Sequence, residues 1–96
     1  MHESALEKYV REKIKKLGGR AFKWVCPGVT GVPDRICIFP DGRIIFIELK
    51  RHGINDGLSA RQKKVCRILE SMNCTVRRIS SKEEFEKLAE EFGYEI

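Results

Sequence analysis

Two acidic residues and one lysine have the types and spacing that could support chemistry. Asp34 follows Pro33 in GVPDR (31–35), and Glu48 and Lys50 lie in FIELK (46–50). Two converging carboxylates are ligands that a hard divalent ion such as Mg²⁺ or Mn²⁺ prefers. Because side chains alternate along a strand, Lys50 shares a face with Glu48 and could instead form a salt bridge with it. The residue types alone leave both readings open.

The segment between these residues predicts a hairpin. RICIF (35–39) and RIIFIEL (43–49) are nearly continuous apolar, β-branched and aromatic runs, typical of strands in the middle of a covered sheet. A three-residue turn at 40–42 (PDG) would bring Asp34 directly opposite Glu48. A two-residue turn at 41–42 would shift the register by one residue and send the two acids to opposite faces. We predict the three-residue turn.

Flanking patterns predict the remaining elements. An apolar stripe indicates a first helix over 3–17, ended by the Gly18-Gly19 pair, and AFKWV (21–25) a first strand. Ser59 begins a second helix, CTVRRIS (74–80) is a further strand, and Ser81 and Glu84 form the capping box of a last helix that stops at Gly93. We therefore expect one α/β domain over 1–96, with an αβββαβα core and a mixed four-stranded sheet flanked by helices on both faces.

Composition excludes several classes of protein. The chain is 42% hydrophobic and 34% charged, with no apolar run long enough to cross a membrane and no apolar signal segment at its start. We expect an intracellular, cytoplasmic protein. The four cysteines form no CxxC pair, so we interpret them as structural rather than as zinc ligands or disulfides. The net charge is +5, and residues 82–96 hold six acidic and only two basic side chains, so the rest of the chain is more basic still and favours a polyanionic partner.

The stretches GVPDR, IIFIELK and LSARQKKV (58–65) together resemble the PD-(D/E)xK nuclease superfamily and, within it, the virus-type replication-repair nuclease (VRR-NUC) family. The likeness covers nearly the whole chain and is greatest to minimal stand-alone phage and bacterial members. It implies a restriction-endonuclease-like fold and a DNA endonuclease that depends on Mg²⁺ or Mn²⁺. Asp34 and Glu48 match the metal-binding acids, Leu49 the backbone carbonyl that completes the metal shell, and Lys50 the lysine beside the attacking water.

Two further catalytic residues follow from the resemblance, each with an alternative. Glu7 matches the glutamate of the family's first helix, which binds metal directly or through water, but Glu3 lies on much the same side of that helix. Gln62 matches a glutamine that follows the third strand. Since Ser59-x-x-Gln62 also has the form of a capping box, Gln62 could instead cap the second helix.

Basic residues around the motif are the candidate DNA contacts, with little sequence preference expected of phosphate contacts. They are Lys23, Arg35, Arg51, Arg61 and Lys64, together with the loop 52–57, in which His52 is DNA-facing or solvated. Tyr9, Phe22 and Trp24 are expected in the core or at a dimer contact. Stand-alone relatives resemble homodimeric resolvases of four-way (Holliday) junctions, whereas other relatives act on flaps or other branched DNA. A catalytically silent nucleic-acid-binding domain and a protein-docking domain with salt-bridged acids remain as alternatives.

Overall fold

A mixed sheet with helices on both faces organises the chain, in a computed structural model that describes residues 3–49 and 60–95. In these residues the element order is α1 (Ala5–Lys16), β1 (Arg20–Lys23), β2 (Arg35–Ile38), β3 (Ile44–Leu49), α2 (Ala60–Ser71), β4 (Thr75–Ile79) and α3 (Lys82–Glu91). The strands lie side by side in chain order; β1–β2 and β2–β3 are antiparallel and β3–β4 is parallel. The predicted αβββαβα fold with a mixed four-stranded sheet is confirmed.

The β2–β3 hairpin uses the three-residue turn that we predicted. Phe39 donates its N–H to the Arg43 carbonyl at 2.9 Å, and Gly42 donates to the Phe39 carbonyl at 2.9 Å. Gly42 has φ of +89°, the left-handed conformation that this turn requires at its third residue. The resulting register pairs Ile38 with Ile44 and Arg35 with Ile47. Continued outward by one residue, this register sets Asp34 opposite Glu48, so the one-residue shift of a shorter turn does not occur.

One face of the sheet is sealed by α1 and α3. Strand residues alternate in exposure, and every second residue of β2 and β3 turns toward these helices. The resulting core contains Val10, Ile14, Ala21, Cys37, Phe39, Ile45, Ile47, Ile79, Phe85 and Leu88, all less than 9% exposed. Burial of this apolar surface supplies the main favourable contribution to folding.

The opposite face is covered less completely. Helix α2 packs against β4, and none of its residues belongs to the core formed by α1 and α3. Helices therefore lie on both faces, as predicted. Away from α2, however, Phe22 on β1 is 53% exposed and Ile44 on β3 is 50% exposed. The two faces thus differ in how much of their apolar surface is removed from water.

Element ends depart slightly from the sequence pattern. β1 stops at Lys23, although alternation predicted a strand through Val25. The Trp24 N–H still donates to the Asp34 carbonyl at 3.1 Å, but Val25 is 75% exposed and the chain turns away at 27–28. At α3, the Ser81 hydroxyl accepts from the Glu84 N–H as predicted, whereas the Glu84 carboxylate accepts from the N–H of Ser80. No helix in the described ranges combines the length and apolar character needed to span a membrane.

Candidate active site

Asp34 is held at the rim of the sheet by both neighbouring strands. Its carboxylate oxygen Oδ2 accepts a hydrogen bond from the Leu49 N–H at 2.8 Å. Its backbone carbonyl accepts from the Trp24 N–H. These two bonds fix both the backbone and the side chain of Asp34 just before β2 begins, so its carboxylate is positioned before any ligand binds.

Glu48 points to the same face of the sheet as Asp34. Leu49 packs against the core of α1 and α3, so alternation turns Glu48 toward α2, and it is 3% exposed. Because Phe39 and Arg43 form a hydrogen-bonded pair, the alternation of antiparallel pairs makes the Asp34–Glu48 position one of the non-hydrogen-bonded type. Side chains are closest in such pairs, with Cα atoms about 4.5 Å apart. The strands thus bring the two carboxylates side by side.

This pair of carboxylates fits a hard divalent cation. Opposed like charges destabilise a sheet, and closely spaced carboxylates cannot both ionise at low cost without a compensating cation. Oxygen donors from rigid strands are the ligands that Mg²⁺ and Mn²⁺ prefer. In the described ranges no group of three or more His, Cys, Asp or Glu side chains is placed to hold a metal. A metal site at Asp34 and Glu48 therefore stays a prediction.

Glu7 and Glu3, the two candidate acids at the start of the first helix, have partners there. Glu7 accepts from the Ser4 N–H at 3.3 Å while the Ser4 hydroxyl accepts from the Glu7 N–H at 3.1 Å, a reciprocal capping box that begins α1. Glu3 binds Arg11 at 2.8 Å and Arg35 at 2.8 Å. The Arg11 hydrogen bond, followed by the charges of Arg11 and Arg35, lowers the pKa of Glu3 although partial burial opposes this. Helix α1 lies on the core face, whereas Asp34 and Glu48 face α2.

Arg35 does not lie on the surface that we predicted for it. The residue is 7% exposed, and its side chain turns toward α1. Its guanidinium donates to the Ala21 carbonyl at 3.3 Å and to the Glu3 carboxylate at 2.8 Å. Alternation explains this, because the residue after Asp34 must point to the opposite face. Arg35 ties β2 to β1 and to the start of α1, and it is not a DNA contact in this conformation.

The basic candidates on α2 line a groove between α2 and the loop that precedes Asp34. Arg61 and Lys64 are exposed, and they border a cavity of about 530 Å³ with Val29, Thr30, Ala60, Val65 and Ile68. Gly31 approaches α2 closely: with φ of +90°, a Cβ there would lie 2.9 Å from the Arg61 carbonyl carbon and 3.0 Å from the Gln62 nitrogen. The loop that leads to Asp34 is therefore packed directly on the backbone of α2.

The other predicted site residues divide into two groups. Gln62 is half-buried in the first turn of α2, and Lys23 is exposed at the end of β1. Lys50, Arg51, the loop 52–57 and Ser59 lie outside the described residues, so their roles, and the choice between capping and active-site roles for Gln62, stay predictions.

Two features of the structure were not predicted from the sequence. The capping box of α1 could have been predicted, because Ser4-x-x-Glu7 has the sequence signature of this motif. The position of Arg78 beside Glu48 could not have been predicted in this way. Arg78 is the partner of Glu48 in the parallel β3–β4 ladder, and no local pattern specifies the register of strands that are joined through a helix.

Comparison with known proteins supports the resemblance. No protein-family model matches the chain. A solved structure described as "VRR_NUC domain" superimposes with a TM-score of 0.82 at 27% identity, covering 91% of this chain and 92% of that one. A protein of Acyrthosiphon pisum secondary endosymbiont phage 1, named "Putative nuclease p44", is 45% identical over 53 residues, which are 55% of this chain and 57% of that protein's length. Fold, motif order and these relatives together support the resemblance of the chain to the VRR-NUC family and to nucleases.

Proposed function

We propose that this protein is a metal-dependent nuclease that hydrolyses phosphodiester bonds in DNA. The observation that carries the proposal is the register of the hairpin, which sets Asp34 and Glu48 side by side on one face, with Asp34 anchored on the Leu49 N–H. Glu48 is 3% exposed and Asp34 is half-buried, and two neighbouring carboxylates in such a place favour a cation as a shared partner. The family resemblance supplies the reaction.

The residues have distinct roles in this proposal. Asp34 and Glu48 hold Mg²⁺ or Mn²⁺ together with the Leu49 carbonyl, and Lys50 orients the attacking water. When bound, such an ion lowers the pKa of water and offsets charge on the phosphate oxygens. Gln62 positions water or phosphate from the α2 side. Since Glu7 caps α1 on the other side of the sheet, we assign it at most a contact through water.

DNA would lie across the α2 face and the rim of the sheet. Arg61 and Lys64 border the groove between α2 and the loop that leads to Asp34, and Lys23 is exposed at the end of β1. Exposed cations of this kind bind phosphates with little dependence on sequence. Arg51 belongs to the same proposed contact. Acting on DNA, the enzyme would work inside the cell.

A second copy of the chain is the partner that we propose for the exposed apolar surface. Phe22 and Ile36 are register neighbours, as are Ile38 and Ile44, so these side chains form a patch over three strands of the α2 face. A two-fold dimer that covers this patch would carry two sites, one for each of two strands of a symmetric four-way junction. This geometry favours junction DNA among the branched substrates.

The test is a cleavage assay on labelled four-way junction, flap, single-stranded and linear duplex DNA, with Mg²⁺, Mn²⁺ or EDTA. We expect metal-dependent cleavage, strongest on the junction. Asp34→Asn should lose at least the roughly 100- to 1,000-fold that removal of one electrostatic stabiliser costs. Asp41→Asn, at the other end of the same hairpin, is the matched control and should cut normally. Cleavage by folded Asp34→Asn protein at the wild-type rate would refute the assignment.

The solution mass tests the dimer separately. Wild-type protein should sediment as a dimer, and Phe22→Glu or Ile44→Glu should give a folded monomer because each places a charge in the apolar patch. A monomeric wild-type protein would remove the symmetric-junction argument while leaving the nuclease assignment in place.

A further inference from the structure

Arg78 extends the row of charged residues at the rim of the sheet. The β3–β4 ladder pairs Glu48 with Arg78, and neighbours in a parallel ladder project from the same face. On its other side Glu48 faces Asp34. The rim therefore presents Asp34, Glu48 and Arg78 in that order on three adjacent strands, and Arg78 is exposed.

The guanidinium of Arg78 has no partner among the residues that the structure describes. Within residues 3–49 and 60–95, no hydrogen bond or ion pair involves its side chain. The neighbouring Arg77 differs, because it points to the α3 side and binds the Glu91 carboxylate at 2.7 Å. Arg43 is similarly bound to Asp41 at 2.7 Å. Arg78 therefore retains its donors for a ligand.

The position of Arg78 beside Glu48 indicates which kind of ligand its side chain would bind. A cation next to Glu48 weakens rather than strengthens the attraction for a metal ion, so metal binding alone does not explain it. A phosphodiester could contact both the acidic pair and the arginine. One of its non-bridging oxygens would face the metal site at Asp34 and Glu48, and the other would accept hydrogen bonds from the guanidinium. Arginine presents a planar fork of donors that matches phosphate geometry.

We propose that Arg78 binds a non-bridging oxygen of the phosphate that is cleaved at the Asp34–Glu48 pair, an inference that rests on the proposed nuclease function. Arg78 is then a substrate-binding residue of the active site, contributed by the edge strand β4. Its contact lies on the opposite side of Glu48 from Asp34, so it helps to set the orientation of the phosphate relative to the two acids.

The experiment compares Arg78→Ala and Arg78→Lys with Arg77→Ala, which removes the same charge from the same strand but on the other face. Single-turnover cleavage of the best substrate should fall roughly 100-fold in Arg78→Ala and less in Arg78→Lys. DNA binding, followed by fluorescence anisotropy in EDTA at several salt concentrations, should show the salt slope of Arg78→Ala reduced by about 0.9 on duplex DNA, the change expected for one lost phosphate contact. Arg77→Ala should match the wild type in both assays.

A methylphosphonate at the mapped cleavage position sharpens the binding assay, because it removes the charge that Arg78 is proposed to contact. The binding penalty of Arg78→Ala should disappear on this DNA. Thermal unfolding verifies that each variant is folded, and Arg78→Gln replaces Arg78→Ala if the alanine variant is not.

The outcomes separate this inference from the proposed function. If the wild type cuts DNA while Arg78→Ala cuts at the same rate with an unchanged salt slope, the inference alone is overturned. It is equally overturned if Arg77→Ala loses as much as Arg78→Ala, since the effect would then reflect overall charge. If the wild type neither binds nor cuts DNA, the nuclease proposal has failed and Arg78 has no phosphate to bind.

Discussion

The two faces of the sheet use the same strands in opposite ways. On the face toward α1 and α3, alternate residues of β2 and β3 are almost completely buried in an apolar core, and the charged Arg35 among them is engaged by Ala21 and Glu3. On the face toward α2, the same strands carry exposed Ile44, half-buried Phe46 and, at the rim, the Asp34–Glu48 pair. One face is therefore organised for stability, and the other retains surface and charge for ligands.

Two polar groups illustrate the difference. Cys37 lies on the core face, and burial raises the pKa of its thiol to about 12 despite the nearby positive charge of Arg35. It therefore packs as a neutral apolar group, in line with the structural role that we predicted for the cysteines. Glu48 is as deeply buried but sits beside another carboxylate. Burial of a charged group is costly, so a domain this small depends on the core face for its stability.

Matched phenylalanine substitutions give the largest expected contrast between the faces. Phe85 is 0% exposed in the core, so Phe85→Ala should lower the free energy of unfolding by about 3–5 kcal/mol through lost burial and a residual cavity. Phe22 is 53% exposed in the single chain, so Phe22→Ala should cost less than about 1 kcal/mol in the Ile44→Glu background, in which the proposed dimer does not form. Urea denaturation monitored by circular dichroism measures both. Equal losses would mean that the α2 face contributes to the core as much as the α1–α3 face does.

Metal binding should stabilise the protein through the α2 face alone. At a Mn²⁺ concentration 100 times the Kd, the free energy of unfolding should rise by about 2.7 kcal/mol, because the folded chain binds the ion and the unfolded chain does not. Differential scanning calorimetry should detect this rise in the wild type. Asp34→Asn and Glu48→Gln should lose it, and Asp41→Asn should keep it. An unchanged rise in Asp34→Asn protein would place the ion elsewhere.

Two glycines of one loop test how the α2 face is assembled. Both have positive φ, +90° at Gly31 and +84° at Gly28, but a Cβ at Gly31 would meet the α2 backbone whereas one at Gly28 meets nothing within 4 Å. Alanine at either position incurs conformational strain of about 1–3 kcal/mol. Gly31→Ala should cost more, and it should also reduce cleavage by displacing the loop that carries Asp34. Thermal unfolding and single-turnover assays compare the two. Indistinguishable variants would show that the loop does not depend on this contact.

The smallest effect should come from acid titration of the core-face ion pairs. Hydrogen bonding to Arg11 lowers the pKa of Glu3 from its usual 4.5, so Glu3 stabilises the fold above that pH. This contribution is lost as the pH falls below 4.5 through the lowered pKa. Stability of the wild type should therefore decline more steeply than that of Glu3→Gln over this interval, as measured by urea midpoints. Parallel curves would show that the ion pairs of Glu3 contribute no net stability.

Local patterns were sufficient for most of the fold. Alternation and turn chemistry predicted the β2–β3 hairpin and its register, since glycine at position 42 suits the left-handed residue of a three-residue turn. The sequence likewise predicted Ser81 and Glu84 as capping residues of α3. In contrast, the surface position predicted for Arg35 was wrong because its charge was considered without the face to which alternation assigns it.

The sequence by itself determined the order of elements, the hairpin register and hence the meeting of Asp34 with Glu48, because each depends on residues close together in the chain. Only the tertiary structure decided which helices cover which face, that Glu7 caps α1 while Glu3 binds Arg35, and that Arg78 stands next to Glu48. The physical reason is that β3 and β4 are joined through α2, and their parallel pairing depends on how that helix packs rather than on any local turn.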